Sequence, residues 1–148
     1  MILEDANCEA MNGEFLDDIE FLPWRECLRL LTEGSVGCLG LPSVGHPELR
    51  PVNYVVEGSA VIIRTGEGQI LDAGRHGLSA SMQVFDIDAV EHTGWSVQIG
   101  GKLSELETCS RTLSLPLRPW ASGRKNRFVK LSFREISGRR IQPGRGNR

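Results

Sequence analysis

The sequence of 148 residues has few aromatic side chains, no long apolar run and no clustered cysteines. Aromatic residues make up 6% of the chain, and no stretch of about 18 apolar residues occurs, so no membrane-spanning helix is expected. Its four cysteines form no C-x-x-C pair and stand far from the histidines, which argues against a zinc site. Walker A, H-E-x-x-H and G-x-S-x-G motifs are also absent. These absences argue against a P-loop NTPase, a zinc protease and an α/β-hydrolase.

Charge is present but unevenly distributed. Residues 1–33 carry nine acidic and two basic side chains, whereas residues 118–148 carry ten basic side chains and one acid. The net charge of −2 makes nucleic acid an unlikely main partner. The sequence predicts a disordered acidic arm over residues 1–20, one domain over 21–142 and a basic tail over 143–148. The acidic start lacks the features of a secretory signal, so a cytoplasmic location is expected.

Alternating apolar residues and closely spaced turn residues predict a mainly β domain with short helices. Strands are expected over 36–41, 49–56, 60–65, 78–88, 95–106 and 127–133, and helices over 23–34, 69–76 and 109–117. Because no β-α-β rhythm occurs, the pattern favours a closed antiparallel barrel, which leaves no free sheet edges. Pro51 indicates an edge or a bulge, Gly100–Gly101 a bulge, and Gly138 a turn into a last short strand.

Four groups of residues are candidates for binding an anionic, planar ligand. Arg64 and Thr65 precede a glycine loop and could bind a phosphate monoester. Asn53 lies among apolar strand residues, where its amide needs a partner such as the heteroatom edge of a ring. Trp95 and Trp120 could each pack on an aromatic ligand. Each group also has a purely structural interpretation, as a surface cation, a turn cap, a buried amide or a core aromatic.

The motifs P-V-N-Y, R-T, L-D-A, F-D-x-D, G-W-S-V, L-x-P-W and I-S-G-R-R-I follow one another over residues 23–142. Their order and spacing resemble those of the pyridoxamine 5′-phosphate oxidase-like family, FMN-binding split β-barrel proteins, in the version abundant in actinobacteria. The resemblance implies a six-stranded antiparallel split barrel. It also implies a homodimer with flavin clefts at the interface, an unidentified small-molecule substrate, and flavin-dependent oxidoreductase activity carried by FMN.

The resemblance also implies which residues bind the cofactor. The segment with Pro51, Val52 and Asn53 would lie against the isoalloxazine ring, and Arg64–Thr65 would meet the phosphate. Trp95–Ser96 and Trp120 would lie near the cleft, partly from the second subunit. The full candidate set is Arg50, Pro51, Val52, Asn53, Arg64, Thr65, Gln69, Trp95, Ser96 and Trp120. No side chain stands out as a general acid or base.

One position departs from the family pattern. Relatives commonly have G-T-K-L-D-A after the R-T motif, whereas this chain has isoleucine at position 70 in place of the lysine. Loss of one charge-assisted contact to a phosphate costs about 1.5–3 kcal/mol, and a cation from the segment Arg124–Arg127 would be needed to compensate. A deazaflavin coenzyme, haem, or a cofactor-less binding dimer are therefore alternatives to FMN.

Overall fold

The computed structural model describes residues 18–118, 120 and 123–142. They contain seven strands and three short helices. In chain order the elements are β1 (Ile19–Phe21), α1 (Trp24–Glu33), β2 (Val36–Leu41), β3 (Glu48–Glu57), β4 (Ala60–Thr65), α2 (Gln69–Arg75), β5 (Ser79–Asp88), β6 (Thr93–Leu106), α3 (Ser110–Leu113) and β7 (Arg127–Ile141). The predicted mainly β domain is confirmed.

Six of these strands close into an antiparallel barrel. Their order is β7-β4-β3-β2-β5-β6, and β6 pairs back with β7. The seventh, β1, adds three residues to the far end of β7. Closure satisfies the backbone hydrogen bonds that an open sheet would leave at its edges. The predicted six-stranded barrel is thereby confirmed.

The last strand differs from the prediction. Gly138 was expected to turn the chain, but β7 continues through it and pairs with β6 as far as Ile141. A Cβ atom at Gly138 would lie 2.7 Å from the Sγ atom of Cys27 and 3.2 Å from Cδ1 of Leu22. Glycine is needed at this position because α1 packs against the strand.

The bulge predicted at Gly100–Gly101 is confirmed by a shift in the register between β6 and β7. A Cβ atom at Gly101 would lie 1.8 Å from the carbonyl oxygen of Ser132, whereas one at Gly100 would meet nothing closer than 3.7 Å. The two neighbouring glycines therefore differ, because the partner backbone leaves no room for a side chain at Gly101.

Apolar side chains from the strands and from the inner faces of α1 and α2 fill the barrel. Tyr54 crosses this core, and its hydroxyl donates a hydrogen bond of 2.5 Å to the carbonyl oxygen of Leu31. Burial raises the pKa of Tyr54 to about 12, so the phenol stays protonated and locks α1 onto β3. In the described part of the chain no helix is long and apolar enough to cross a bilayer.

The predicted boundary between arm and domain falls inside β1. Ile19–Phe21 pairs with β7, and the carbonyl oxygen of Asp18 accepts a hydrogen bond from the amide of Gln142. The folded domain thus begins earlier than residue 21. Most of the predicted arm, residues 1–17, and the predicted tail, residues 143–148, lie outside the described residues.

Strands β3 and β4 separate on one side of the barrel. They pair only where Tyr54–Glu57 faces Ala60–Ile63. Before this stretch β3 pairs with β2, whereas β4 pairs with β7 along its whole length. Pro51 lies in the part of β3 that β4 does not reach, which agrees with the predicted edge position. This separation opens the cleft in which the candidate site lies.

Candidate functional site

The cleft between β3 and β4 encloses about 250 Å³. Its lining consists of Val36, Pro51, Val52, Asn53, Ile63, Arg64, Thr65, Ile70, Trp120 and Lys125, and this set is called the β3–β4 cleft. Most of these side chains are apolar, with one amide, one hydroxyl and two cations among them. Six of the ten predicted site residues meet here: Pro51, Val52, Asn53, Arg64, Thr65 and Trp120.

The amide of Asn53 fastens one wall of the cleft. Its Oδ1 atom accepts a hydrogen bond of 3.2 Å from the backbone N–H of Trp120. The Trp120 side chain is 81% exposed, although it lines the cleft. The chain therefore holds the backbone of Trp120 in place and leaves its indole ring without a covering layer, as a stacking wall requires.

Arg64 is held by the segment that follows α3. Its Nε atom donates to the carbonyl oxygen of Lys125 at 2.5 Å, and its Nη2 atom donates to Oδ1 of Asn126 at 3.2 Å. Its Nη1 atom lies 3.5 Å from the carbonyl oxygen of Leu117, and the guanidinium sits 5.5 Å from the ring centroid of Phe128. These contacts make Arg64 an anchor for Leu117, Lys125 and Asn126. Its predicted contact with a phosphate stays a prediction.

The glycine loop after β4 also meets this segment. A Cβ atom at Gly66 would lie 2.8 Å from the carbonyl oxygen of Arg124. Gly68 has a φ of 145°, a conformation that favours glycine, directly before α2. The hydroxyl of Thr65 donates to the carbonyl oxygen of Gly66 at 3.4 Å. Gly66 is thus explained by the close approach of the Arg124 backbone, and Gly68 by the positive φ at the start of α2.

Arg50 and Gln69 contact each other at the rim. The Nη2 atom of Arg50 donates a hydrogen bond of 3.1 Å to Oε1 of Gln69, and its Nη1 atom lies 3.2 Å from a carboxylate oxygen of Glu48. The pair bridges β3 to the first turn of α2. Both residues adjoin members of the lining, Pro51 and Ile70, and neither belongs to the lining itself.

Trp95 and Ser96 lie elsewhere in the chain. They belong to β6, opposite Asp86 and Phe85 of β5. Trp95 lines a different, open cavity of about 690 Å³ and packs in part against the core. Within one chain they are therefore not brought together with the β3–β4 cleft.

A second cavity of about 400 Å³ adjoins the cleft. It is lined by Arg64, Leu117, Arg118, Gly123, Arg124, Lys125 and Asn126, and is called the basic pocket. The two cavities share Arg64 and Lys125. The excess of basic residues after position 117 predicts that Arg118, Arg124 and Lys125 could meet an anionic ligand, but the candidate set of ten site residues does not include them.

The family model described as pyridoxamine 5′-phosphate oxidase matches residues 23–140 of the chain. The chain belongs to this family. The match spans the elements from the start of α1 to near the end of β7, and so includes the whole β3–β4 cleft. The family resemblance expected from the motif order is confirmed.

One curated relative and two solved structures are also similar to this chain. A curated relative, the uncharacterized protein Rv0080 of Mycobacterium tuberculosis, is 28% identical over 124 residues, covering 78% of this chain and 81% of the relative. The solved structure of an FAD-binding protein from Mesorhizobium loti superposes with a TM-score of 0.68 at 21% identity, covering 84% of this chain and 97% of that one. The FAD-binding protein from Mycobacterium smegmatis gives a TM-score of 0.64 at 22% identity, covering 84% and 99%. These structural likenesses establish the fold.

This member of the pyridoxamine 5′-phosphate oxidase family has an apolar side chain where a lysine is common. Ile70 lines the cleft and also packs against the core. The position therefore adds apolar surface to the cleft and no positive charge. The two cations of the cleft lining are Arg64, which is anchored on protein oxygens, and Lys125.

Proposed function

We propose that the chain binds a flavin in the β3–β4 cleft, with FMN as the cofactor, and acts as a flavin-dependent oxidoreductase. The observation that carries the proposal is an apolar cleft with one amide and one exposed indole ring, which shares Arg64 and Lys125 with a neighbouring pocket of cations. A flavin mononucleotide has the same division, a planar ring with polar edges at one end and a phosphate at the other. The names of the two FAD-binding fold relatives support a flavin ligand.

The residues of the cleft fit such a ring. Val52 and Ile63 are buried and form an apolar floor. Asn53 supplies the polar group that a heterocyclic edge needs. Trp120 offers an exposed aromatic face, and aromatic pairs prefer offset stacking or edge-to-face contact. When bound, the flavin would supply the redox chemistry, while the protein would orient the ring and exclude water from one face.

The same proposal includes a homodimer. The cleft alone is small for a whole flavin, because ligand sites usually measure about 300–1,000 Å³. Exposed apolar side chains lie on and beside the outer face of β5, with Phe85 57% and Ile87 55% exposed. Trp95 and Ser96 are on the neighbouring strand. A second copy covering this surface would add Trp95–Ser96 to the cleft of its partner, which the resemblance implies.

The test is a titration of purified protein with FMN, followed by quenching of flavin fluorescence, with a deazaflavin coenzyme and haem as comparison ligands. We expect stoichiometric quenching by FMN and a dimer in sedimentation. Asn53→Ala should weaken FMN binding, whereas His46→Ala, in the exposed loop between β2 and β3, should not. Tighter binding of deazaflavin or haem would replace FMN with that ligand. Absence of binding by all three would leave the cofactor-less dimer.

A further inference from the structure

The basic pocket has an unusual electrostatic composition. Arg118, Arg124 and Lys125 line it together with Arg64, and no acidic side chain belongs to the lining. None of the ion pairs in the described part of the chain involves these four residues. By contrast, Arg127, two residues after Lys125, pairs with Glu67 at 3.4 Å. The chain thus neutralises the neighbouring cation and leaves the pocket positively charged.

The position of the pocket is fixed by Arg64. Three of its N–H groups point at oxygen atoms of residues 117, 125 and 126. Thr108 adds a further tie, since its hydroxyl donates to the carbonyl oxygen of Asn126 at 2.8 Å. The segment that carries the pocket cations is therefore anchored to β4 and to the residues before α3. Anchored cations lose less freedom when they bind an anion than cations on a free loop.

The pocket lies beside the cleft, since Arg64 and Lys125 line both cavities. A ligand with its ring against Val52 and Trp120 would carry its substituent past Lys125 toward Arg118 and Arg124. Arginine and lysine bind phosphate oxygens through charge-assisted hydrogen bonds. Ile70 adds no cation to the cleft, and the guanidinium of Arg64 is held by protein oxygens. Lys125 and the neighbouring pocket supply the other cations.

We infer that Arg118, Arg124 and Lys125 form the phosphate-binding pocket for the ligand of the β3–β4 cleft, and that Arg64 positions this segment. The inference rests on the proposed flavin site. The ligand class is a planar ring carrying a phosphate ester, whether the monoester of FMN or the diphosphate of FAD. In this arrangement Arg118, Arg124 and Lys125 bind the phosphate, which the resemblance assigned to Arg64 and to a lysine at position 70.

Riboflavin, FMN and FAD are matched ligands for the test, because they share the ring and differ in phosphate. Their dissociation constants would be measured by fluorescence quenching with the full chain, the double variant Arg118→Gln/Arg124→Gln and Lys125→Met. The control is Arg25→Gln/Arg134→Gln, which removes two exposed arginines far from the pocket. Melting temperatures would verify that all variants fold.

We expect FMN or FAD to bind the full chain about ten- to hundredfold more tightly than riboflavin. The double variant should lose most of that advantage and leave riboflavin binding unchanged, while the control keeps it. Lys125→Met should lower the ratio of FMN affinity to riboflavin affinity, because Lys125 borders both cavities. Equal loss for riboflavin and FMN, or an unchanged FMN-to-riboflavin ratio, would overturn the inference and leave the proposed flavin site standing.

A second readout needs no flavin. Inorganic pyrophosphate should bind the full chain in a calorimetric titration and should bind the double variant more weakly. If no flavin binds, the proposed function fails, but pyrophosphate binding that depends on Arg118 and Arg124 would still support the anion pocket. Pyrophosphate binding that is absent, or equal in the variant and the control, would count against the pocket in that case.

Discussion

The two sides of the barrel are held together by different means. On one side, β6 and β7 pair along Gly94–Leu106, interrupted only by the bulge at Gly100–Gly101. On the other, β3 and β4 pair only over Tyr54–Glu57 and then separate. Beyond that point single side chains make the contacts. Asn53 accepts a hydrogen bond from the backbone of Trp120, and Arg64 donates to Leu117, Lys125 and Asn126.

This difference separates stability from binding. Where two paired backbones approach each other closely, an added side chain is poorly tolerated. Hydrogen bonds from single side chains, by contrast, can hold the walls of a cleft in place without filling it. We therefore expect substitutions on the β6–β7 side to alter the free energy of unfolding, and substitutions on the β3–β4 side to alter ligand affinity.

The largest effect is expected at the bulge. Gly101→Ala would place a Cβ atom 1.8 Å from the carbonyl oxygen of Ser132, so β6 and β7 must move apart. We expect a loss of roughly 3 kcal/mol in the free energy of unfolding, measured with denaturant. Gly100→Ala is the matched control, since its nearest atom is 3.7 Å away. Equal losses in both variants would contradict the proposed role of close packing.

The next effect is expected at the contact between the glycine loop and the basic pocket. Gly66→Ala would bring a Cβ atom to 2.8 Å from the carbonyl oxygen of Arg124 and displace the pocket. Affinity for FMN should fall about tenfold, with a smaller change in stability. Gly40→Ala, with no atom closer than 3.5 Å, should leave FMN affinity unchanged. A large fall in stability without a change in affinity would reverse the comparison between the two sides.

Trp120 allows a smaller and cleaner test. Its side chain is 81% exposed, so Trp120→Ala should change the free energy of unfolding by less than about 0.5 kcal/mol. Loss of stacking should weaken flavin binding about three- to tenfold. Trp24→Ala removes another exposed tryptophan, on α1, and should not affect binding. If both variants bind FMN like the full chain, Trp120 is not a wall of the flavin site.

The smallest effect concerns the link between α1 and β7. Hydrogen bonds from Arg29 and Arg140 lower the pKa of Glu26 from 4.5 to about 2. A lowered folded-state pKa contributes stability above pH 4.5, which is lost as the pH falls toward 2. Glu26→Gln should therefore melt slightly below the full chain at pH 7, and the difference should vanish near pH 2. Glu135→Gln, a carboxylate outside the ion pairs of the described residues, should not reproduce this pH dependence.

Much of the fold could be predicted because local patterns determine it. The apolar stripe of α1 and the short apolar runs of β2 and β4 place these elements within a residue of their observed bounds. Gly138 was misinterpreted because a glycine that permits close packing looks the same in sequence as one that permits a turn. The space it leaves is occupied by Cys27, which is more than a hundred residues earlier in the chain.

The candidate site was predictable in part for the same reason. Val52, Asn53 and Thr65 stand on regular strands, and the cleft contains them. Arg64 contacts Leu117, Lys125 and Asn126, which lie more than fifty positions later in the chain. No local sequence pattern encodes such a contact. The cations of the basic pocket were visible as a charge excess, but their position beside the cleft follows only from the folded chain.

The course of β7 has a consequence for how the protein is made. Arg127–Ile141 pairs with β4, β6 and β1, and it follows all of them in the sequence. During synthesis on the ribosome, one edge of β4 and one edge of β6 stay unpaired until β7 emerges. Most of the pairing that closes the barrel is therefore non-local, which is typical of slow folding. The nascent chain is most exposed to aggregation just before its final strand is complete.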